Sequence, residues 1–143
     1  MKHISAGLFT SVLLAACATA PQATPPLDVV RAKFDAVNRH DLNAIVAAYA
    51  ADARVMASDF CSPRIGRDAV ERTYTALLAI DDLSVHVDQA IADGNKVLMR
   101  IRVSGAVRGQ RFEIPIANYF EVRDGLIAYD FGVFDNAARP CRQ

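Results

Sequence analysis

Hydrophobic side chains recur along this chain with two different periods, and the change from one to the other falls near residue 80. In the first half, Leu27, Val30, Phe34 and Val37 stand three or four residues apart, which gathers them on one face of a helix. Pro25 and Pro26 suit the first turn, where a missing N–H is no loss, and Asp28 meets the positive end of the helix dipole. Asp41 is placed to cap a second, short helix in which Leu42, Ile45, Val46 and Tyr49 repeat the spacing before Asp52. A brief strand is expected over Arg54–Ala57 and a loop over Ser58–Gly66, which contains Pro63. Val70, Tyr74, Leu77 and Leu78 mark a third helix, with Asp68 and Glu71 spaced as a capping box.

From Leu83 onward the period is two. Leu83, Val85 and Val87 alternate with Ser84, His86 and Asp88, and the run Val97–Val103 alternates again. Turns are expected at Asp93-Gly94, Arg108-Gly109 and Asp124-Gly125, separating strands over Phe112–Val122 and Leu126–Phe134. Pro115 inside its strand predicts a bulge or a strong bend. Helices first and a curled antiparallel sheet after them make the fold class α+β.

Charge changes the picture by exclusion. Sixteen Lys and Arg balance 16 Asp and Glu, so the basic stripe that phosphate contacts require is missing and no nucleic-acid partner is expected. Seven Gly and six Pro in 143 residues are too few for a disordered or collagen-like chain, and no apolar run is long enough to span a bilayer. The N-terminus reads as an address: Lys2 and His3 precede a short apolar stretch of the kind that directs secretion. Leu14-Ala15-Ala16-Cys17 resembles the lipobox of bacterial lipoproteins. The resemblance implies removal of residues 1–16, thioether lipidation of Cys17 and acylation of the new amino terminus, including palmitate-type chains. Several chains together give a firm hold, at about 0.8 kcal/mol per buried CH₂. Ala18 stands where an Asp would signal inner-membrane retention, so the expected location is the outer membrane, facing the periplasm. Residues 17–26 form a tether of Ala, Thr, Gln and Pro after the Cys, 27–136 the folded domain and 137–143 a tail. With Cys17 lipidated, Cys61 and Cys141 remain as a pair in an oxidising compartment. A disulfide between them is expected to contribute about 4 to 5 kcal/mol by the chain-entropy model; two free thiols are the alternative.

Five segments carry a resemblance across Leu27 to Asp135: Val29 to Asn38, Asp41-Leu42 to Tyr49, Asp52-Ala53-Arg54-Val55, Gly66 to Tyr74, and Phe120-Glu121-Val122-Arg123-Asp124-Gly125-Leu126-Ile127. In this order and spacing they are similar to the SnoaL-like branch of the nuclear transport factor 2 superfamily. The resemblance implies a cone, in which a strongly bent sheet wraps three helices around a deep pocket, often with a homodimer formed through the sheet's outer face. Its members include ketosteroid isomerases, polyketide cyclases, epoxide hydrolases and proteins without catalysis, so the fold alone assigns no reaction.

Residue by residue, the ketosteroid isomerase set falls on Lys33, Ala57 and Ala117, which supply neither its oxyanion donors nor its base. The Asp-Arg-Asp set of epoxide hydrolases keeps only its Arg, at Arg100, with Arg102 and Gly132 at the carboxylate positions. What the family correspondence turns inward instead is Leu98, Arg100, Arg102 and Ser104, with Tyr74, Tyr119 and Asp130, above a floor of Tyr49 and Met56. An enclosed guanidinium needs a counter-charge. Asp130 can serve one, and the other is then expected to bind a small, partly apolar, acidic ligand. Strand alternation alone gives the opposite register, with Val97, Met99, Ile101 and Val103 inside and both arginines in water. If the chain is an isomerase, lyase or hydrolase, Asp130 or Asp59 is the candidate base; a non-catalytic module of the cell envelope is the third reading. His86 and His40 are expected at the surface, and no residues show metal-ligand spacing, so neither a metal nor a cofactor is expected.

Overall fold

The computed structural model describes residues 24–135 of the chain. Burial of Val29, Val30, Phe34 and Val37 along one side makes α1 (Pro26–Asn38) an amphipathic helix, entered through Pro25 and Pro26. The Asp41 carboxylate accepts from the Ala44 N–H at 3.0 Å and starts α2 (Leu42–Ala47). This helix stops short of Tyr49. The Ala48 carbonyl is taken by the Ile127 N–H at 2.8 Å, which pulls the next residues into a strand, β1 (Tyr49–Ala57).

The expected loop contains a two-residue strand, β2 (Arg64–Ile65), paired with Arg54 and Val55. The capping box is not formed. Gly66, at φ 86°, caps α3 (Arg67–Leu78) with its carbonyl, which accepts from the Ala69 and Val70 N–H groups, while its own N–H donates to Ala53. Asp68 remains in the first turn, where it meets the helix dipole.

Four long strands follow, β3 (Asp81–Asp93), β4 (Lys96–Val107), β5 (Gln110–Arg123) and β6 (Leu126–Val133), joined by turns at Gly94, Gly109 and Gly125, all with positive φ. The sheet order is β2-β1-β6-β5-β4-β3. Its pairs are antiparallel except β1 with β6, which run parallel, so the sheet is mixed rather than purely antiparallel. The reason is topological: β6 returns beside β1 only after α3 and three hairpins, a connection long enough for a parallel neighbour. The sheet is unclosed, with β2 and β3 at its edges, and it wraps α1, which touches β3, β4, β5 and β6. Pro115 causes no bulge. It sits opposite Arg102 in an unbroken β4–β5 register, and β6 ends opposite Ala117, so no ladder is lost on that side. The irregularities fall instead at Tyr49/Arg54, Asp81/Ser84, Val87/Gln89 and Glu121/Val122.

The core lies between the helices and the inner face of the sheet. Val97, Met99, Ile101 and Val103 of β4 point inward with Phe120 of β5 and Ile127 of β6, and Phe34 meets Phe120 edge to face at 5.8 Å between ring centroids. Among the described residues no helix is long and apolar enough to cross a membrane. The expected signal over residues 1–16, residues 17–23 of the tether with Cys17, and Cys141 in the tail lie outside the described residues.

Candidate functional site

A cavity of about 490 Å³ opens between α1, α3 and the concave face of the sheet. Its walls are hydrocarbon: Val37, Leu77, Val85, Ile101, Ile114 and Ile116 are representative. Of the polar side chains that also line it, Asp59, Arg64 and Thr73 stand apart from four that meet, each delivered by a different element: Lys33 from α1, Tyr74 from α3, Asn118 from β5 and Asp130 from β6. Tyr49, fully buried at the start of β1, stands behind them.

These five groups form one network. The Asp130 Oδ2 accepts from the Tyr49 hydroxyl at 2.5 Å and the Tyr74 hydroxyl at 3.3 Å, and lies 3.8 Å from the Lys33 Nζ. Lys33 donates to the Tyr74 hydroxyl at 3.0 Å, and the two tyrosine hydroxyls are 2.8 Å apart. The ammonium also lies over the Phe34 ring at 3.6 Å and the Phe120 ring at 4.7 Å. Burial lowers the Lys33 amine to about 8, an effect that the nearby Asp130 charge partly offsets. Burial, then the Asp130 charge, raises both tyrosines well above their ordinary value, so both stay neutral donors. On the other side of the carboxylate, Oδ1 accepts from the Asn118 Nδ2 at 3.2 Å. The Asn118 Oδ1 is buried and has no hydrogen-bond donor. Two acceptors, the Asp130 Oδ1 and the Asn118 Oδ1, therefore belong to one polar end of a mostly apolar cavity.

The structure divides the sequence-predicted residues. Tyr74, Asp130 and Met56 line the cavity, and Tyr49 lies beneath its polar end. Asp59 lines it from the half-buried turn after β1, as does Arg64 of β2, whose guanidinium rests 3.7 Å over the Phe60 ring. Arg100 and Arg102 do not belong to it. They point outward, 65% and 41% exposed, and share Asp88 as an acidic neighbour at 3.8 and 2.9 Å, so the basis for an acid-binding pocket falls. Leu98 is on the same outer face, as is Tyr119, which donates to Glu121 at 2.7 Å. The correction is one of register: a slip of one residue along a strand exchanges its faces, and the alternation of β4 was the sound guide. The same slip moved Ala117 inward in expectation, whereas Ala117 pairs with Arg100 outside and Asn118 faces the cavity.

Lys33 and Asn118 were missed as site residues. Lys33 had a visible signal, being a lone cation on the apolar stripe of α1, three residues after Val30 and four before Val37. Asn118 shares the parity of Ile116 and Phe120, which marks it as inward once the register is right. His86 is exposed beside Asp88, and His40 is exposed after α1. Among the described residues no group of three His, Cys, Asp or Glu side chains could hold a metal. Cys61 is disulfide-bonded.

Residues 30–129 match the family model of the SnoaL-like domain. No curated protein matches the chain. Among solved structures, a protein of ketosteroid isomerase-like fold from Catenulispora acidiphila, in complex with trimethylamine, is 20% identical with a TM-score of 0.71, over 78% of this chain and 88% of that one. An LEH-like epoxide hydrolase of M. tuberculosis is 23% identical with a TM-score of 0.69, over 77% and 82%. The epoxide hydrolase/cyclase-like enzyme SalBIII, of pyran ring formation in salinomycin, is 19% identical with a TM-score of 0.70, over 78% and 91%. At these identities the structures share the fold, and the match over most of the folded residues settles the rest: this chain belongs to the SnoaL-like family.

Proposed function

We propose that the chain is a small-molecule enzyme of the cell envelope, in which Asp130 acts as general base on a neutral, mostly apolar substrate. The observation that carries this reading is the pair of acceptors at the cavity's polar end. The Asp130 Oδ2 is held by Tyr49, Tyr74 and Lys33, while its Oδ1 accepts from Asn118 alone, whose own Oδ1 is buried without a donor. Two acceptors suit the two hydrogens of one water molecule, whose lone pair then faces an electrophilic carbon in the cavity, with Asp130 taking the proton. The chemistry is addition of water or ring opening of a strained ether. A volume of about 490 Å³ fits a substrate of terpene or small polyketide size. Two enzymes of epoxide chemistry among the similar folds support the class.

The charge balance sets the substrate's polarity. Lys33 is already paired with Asp130, so a buried carboxylate guest meets two acceptors and no unpaired cation at the polar end. Asp59 lies on the more exposed side of the cavity and is the lesser candidate base. Binding without turnover is the second reading, favoured by the two hydroxyl donors and the ammonium already gathered at one carboxylate oxygen.

The test is a turnover screen of epoxides and activated alkenes, comparing wild type with Asp130→Asn. Wild type is expected to convert at least one compound, and the variant to lose about 10²- to 10⁴-fold in rate while keeping its fold. Equal rates in both proteins, or tight binding with no conversion of any compound, would refute the base and leave the binder.

The envelope setting rests on Cys17, and lipid labelling that disappears in Cys17→Ser tests it. Pairing of Cys61 with Cys141 is proposed on the same footing. We also propose a homodimer through the outer sheet face, supported by the apolar row Ile91, Leu98, Tyr119 and Phe131, which adjoin across four strands.

A further inference from the structure

We propose that Lys33 is a covalent capture site for small apolar aldehydes and unhindered ketones, which its amine binds as an imine inside the cavity. This goes beyond the water-activating role of Asp130, sharing with it the cavity and Asp130 as the carrier of protons.

Three observations carry it. First, the chain has only three lysines, Lys2, Lys33 and Lys96, among its 16 basic side chains, and the rest are arginine. The buried cation is nevertheless a lysine, the one kind that can shed its proton and become a nucleophile. Secondly, Lys33 lines the cavity while 1% exposed, with hydrocarbon walls around the space a carbonyl compound would fill. An apolar, water-poor site favours imine over hydrolysis. Thirdly, the groups that imine formation requires are in place. The Tyr74 hydroxyl is 3.0 Å from Nζ, and the Asp130 Oδ2 is 3.8 Å from Nζ and 3.3 Å from that hydroxyl, which makes a short path for protons. Asp130, from β6, is the charged group facing the amine; α3 brings neutral Tyr74, β1 neutral Tyr49 next to it, and Phe34 and Phe120 present uncharged rings.

The step balances without a redox partner. The neutral amine's lone pair forms the C–N bond as the carbonyl π pair moves to oxygen. That oxygen takes the proton that the nitrogen gives up, passed on through Tyr74 and Asp130. The resulting carbinolamine loses its hydroxyl as water when a second proton, drawn from solvent, reaches it through Asp130, the nitrogen lone pair forming the C=N bond. The iminium then gives its N–H proton to Asp130, which returns it to solvent. Every step is reversible, so the adduct is held only while the carbonyl compound is present.

The experiment is reductive trapping on the full chain. Hexanal and sodium cyanoborohydride are added at pH 8, and peptide mass mapping compares Lys33 with the exposed Lys96 in the same molecule. At that pH an ordinary lysine amine is neutral about once in 250 molecules, whereas Lys33, lowered to about 8, is neutral about half the time. Alkylation of Lys33 is expected to exceed that of Lys96 at least about tenfold, to rise in rate through pH 8, and to be slowed by hexan-1-ol, which leaves Lys96 unaffected. Lys33→Arg, checked for fold by circular dichroism, loses the fast adduct. Modification of Lys96 as fast as or faster than Lys33 in the folded protein overturns the proposal. So does an unmodified Lys33 in a chain that still binds hexan-1-ol by calorimetry. Neither result bears on whether Asp130→Asn abolishes turnover of an epoxide, so the two proposals fail separately.

Discussion

The Asp130 carboxylate and the Lys33 ammonium are each nearly inaccessible to water, and neither would be tolerated there alone. Removing one partner of such a pair strands the other, at a cost of about 3 to 5 kcal/mol. Asp130→Leu is therefore expected to destabilise the fold by that order, and adding Lys33→Met to it to recover most of the loss, as read from urea midpoints. The pair also imposes a pH dependence. Since Lys33 titrates near 8 in the folded chain and near 10.5 when unfolded, the unfolded state holds more protons between those values, and stability rises with pH across that window. Above about pH 10 the sign reverses, because Tyr49 and Tyr74 ionise more easily unfolded than folded. Unfolding midpoints measured from pH 7 to 11 should rise and then fall, and the rise should vanish in Lys33→Met; a flat profile in the wild type contradicts the assignment. At this scale the sequence was only half legible. Tyr74 and Asp130 could be placed from their elements, but the meaning of Lys33 depends on Asp130, 97 positions away, which no local pattern connects.

Elements were easier to read than their faces. Apolar spacing located all three helices and the four long strands, because burial against a common core repeats with each element's own period. The junctions were less legible: where α2 gives way to β1 is decided by a hydrogen bond from distant Ile127, and β2 exists because Arg54 and Val55 offer it an edge. Arg100 and Arg102 show how much a register matters, since one residue of slip replaced an apolar wall with two guanidiniums. Close approach at Gly105 of β4 gives a direct test. A Cβ on Gly105 would lie 2.6 Å from the branched Cγ2 of Ile80 and 3.1 Å from the Asp81 carbonyl oxygen, so Gly105→Ala should lower stability by about 1 to 3 kcal/mol, seen as a depressed melting midpoint. On the outer face, Leu98 is half exposed between Ile91 and Tyr119. Leu98→Glu is expected to shift a sedimenting dimer to monomer without changing the melting profile of the isolated fold; an unchanged sedimentation coefficient would count against the dimer.

For the molecule as a whole, helices that precede a long meander suffice to specify a wrapped sheet, and the wrapping itself creates the cavity. What the fold leaves open is the cavity's chemistry, which is set by the polar side chains that the strands and helices aim into it. Where Lys33, Tyr74, Asn118 and Asp130 meet, they compensate one another's charge, and the surplus is a pair of acceptors. Calorimetric titration of the full chain at pH 7 with matched ligands, a cyclic epoxide or alcohol against the carboxylic acid of the same carbon skeleton, tests this most directly. The account predicts that neutral members bind and that the acids bind at least about tenfold more weakly, about 1.4 kcal/mol. Acids that bind more tightly than their neutral partners, and lose that advantage in Lys33→Met, would contradict it.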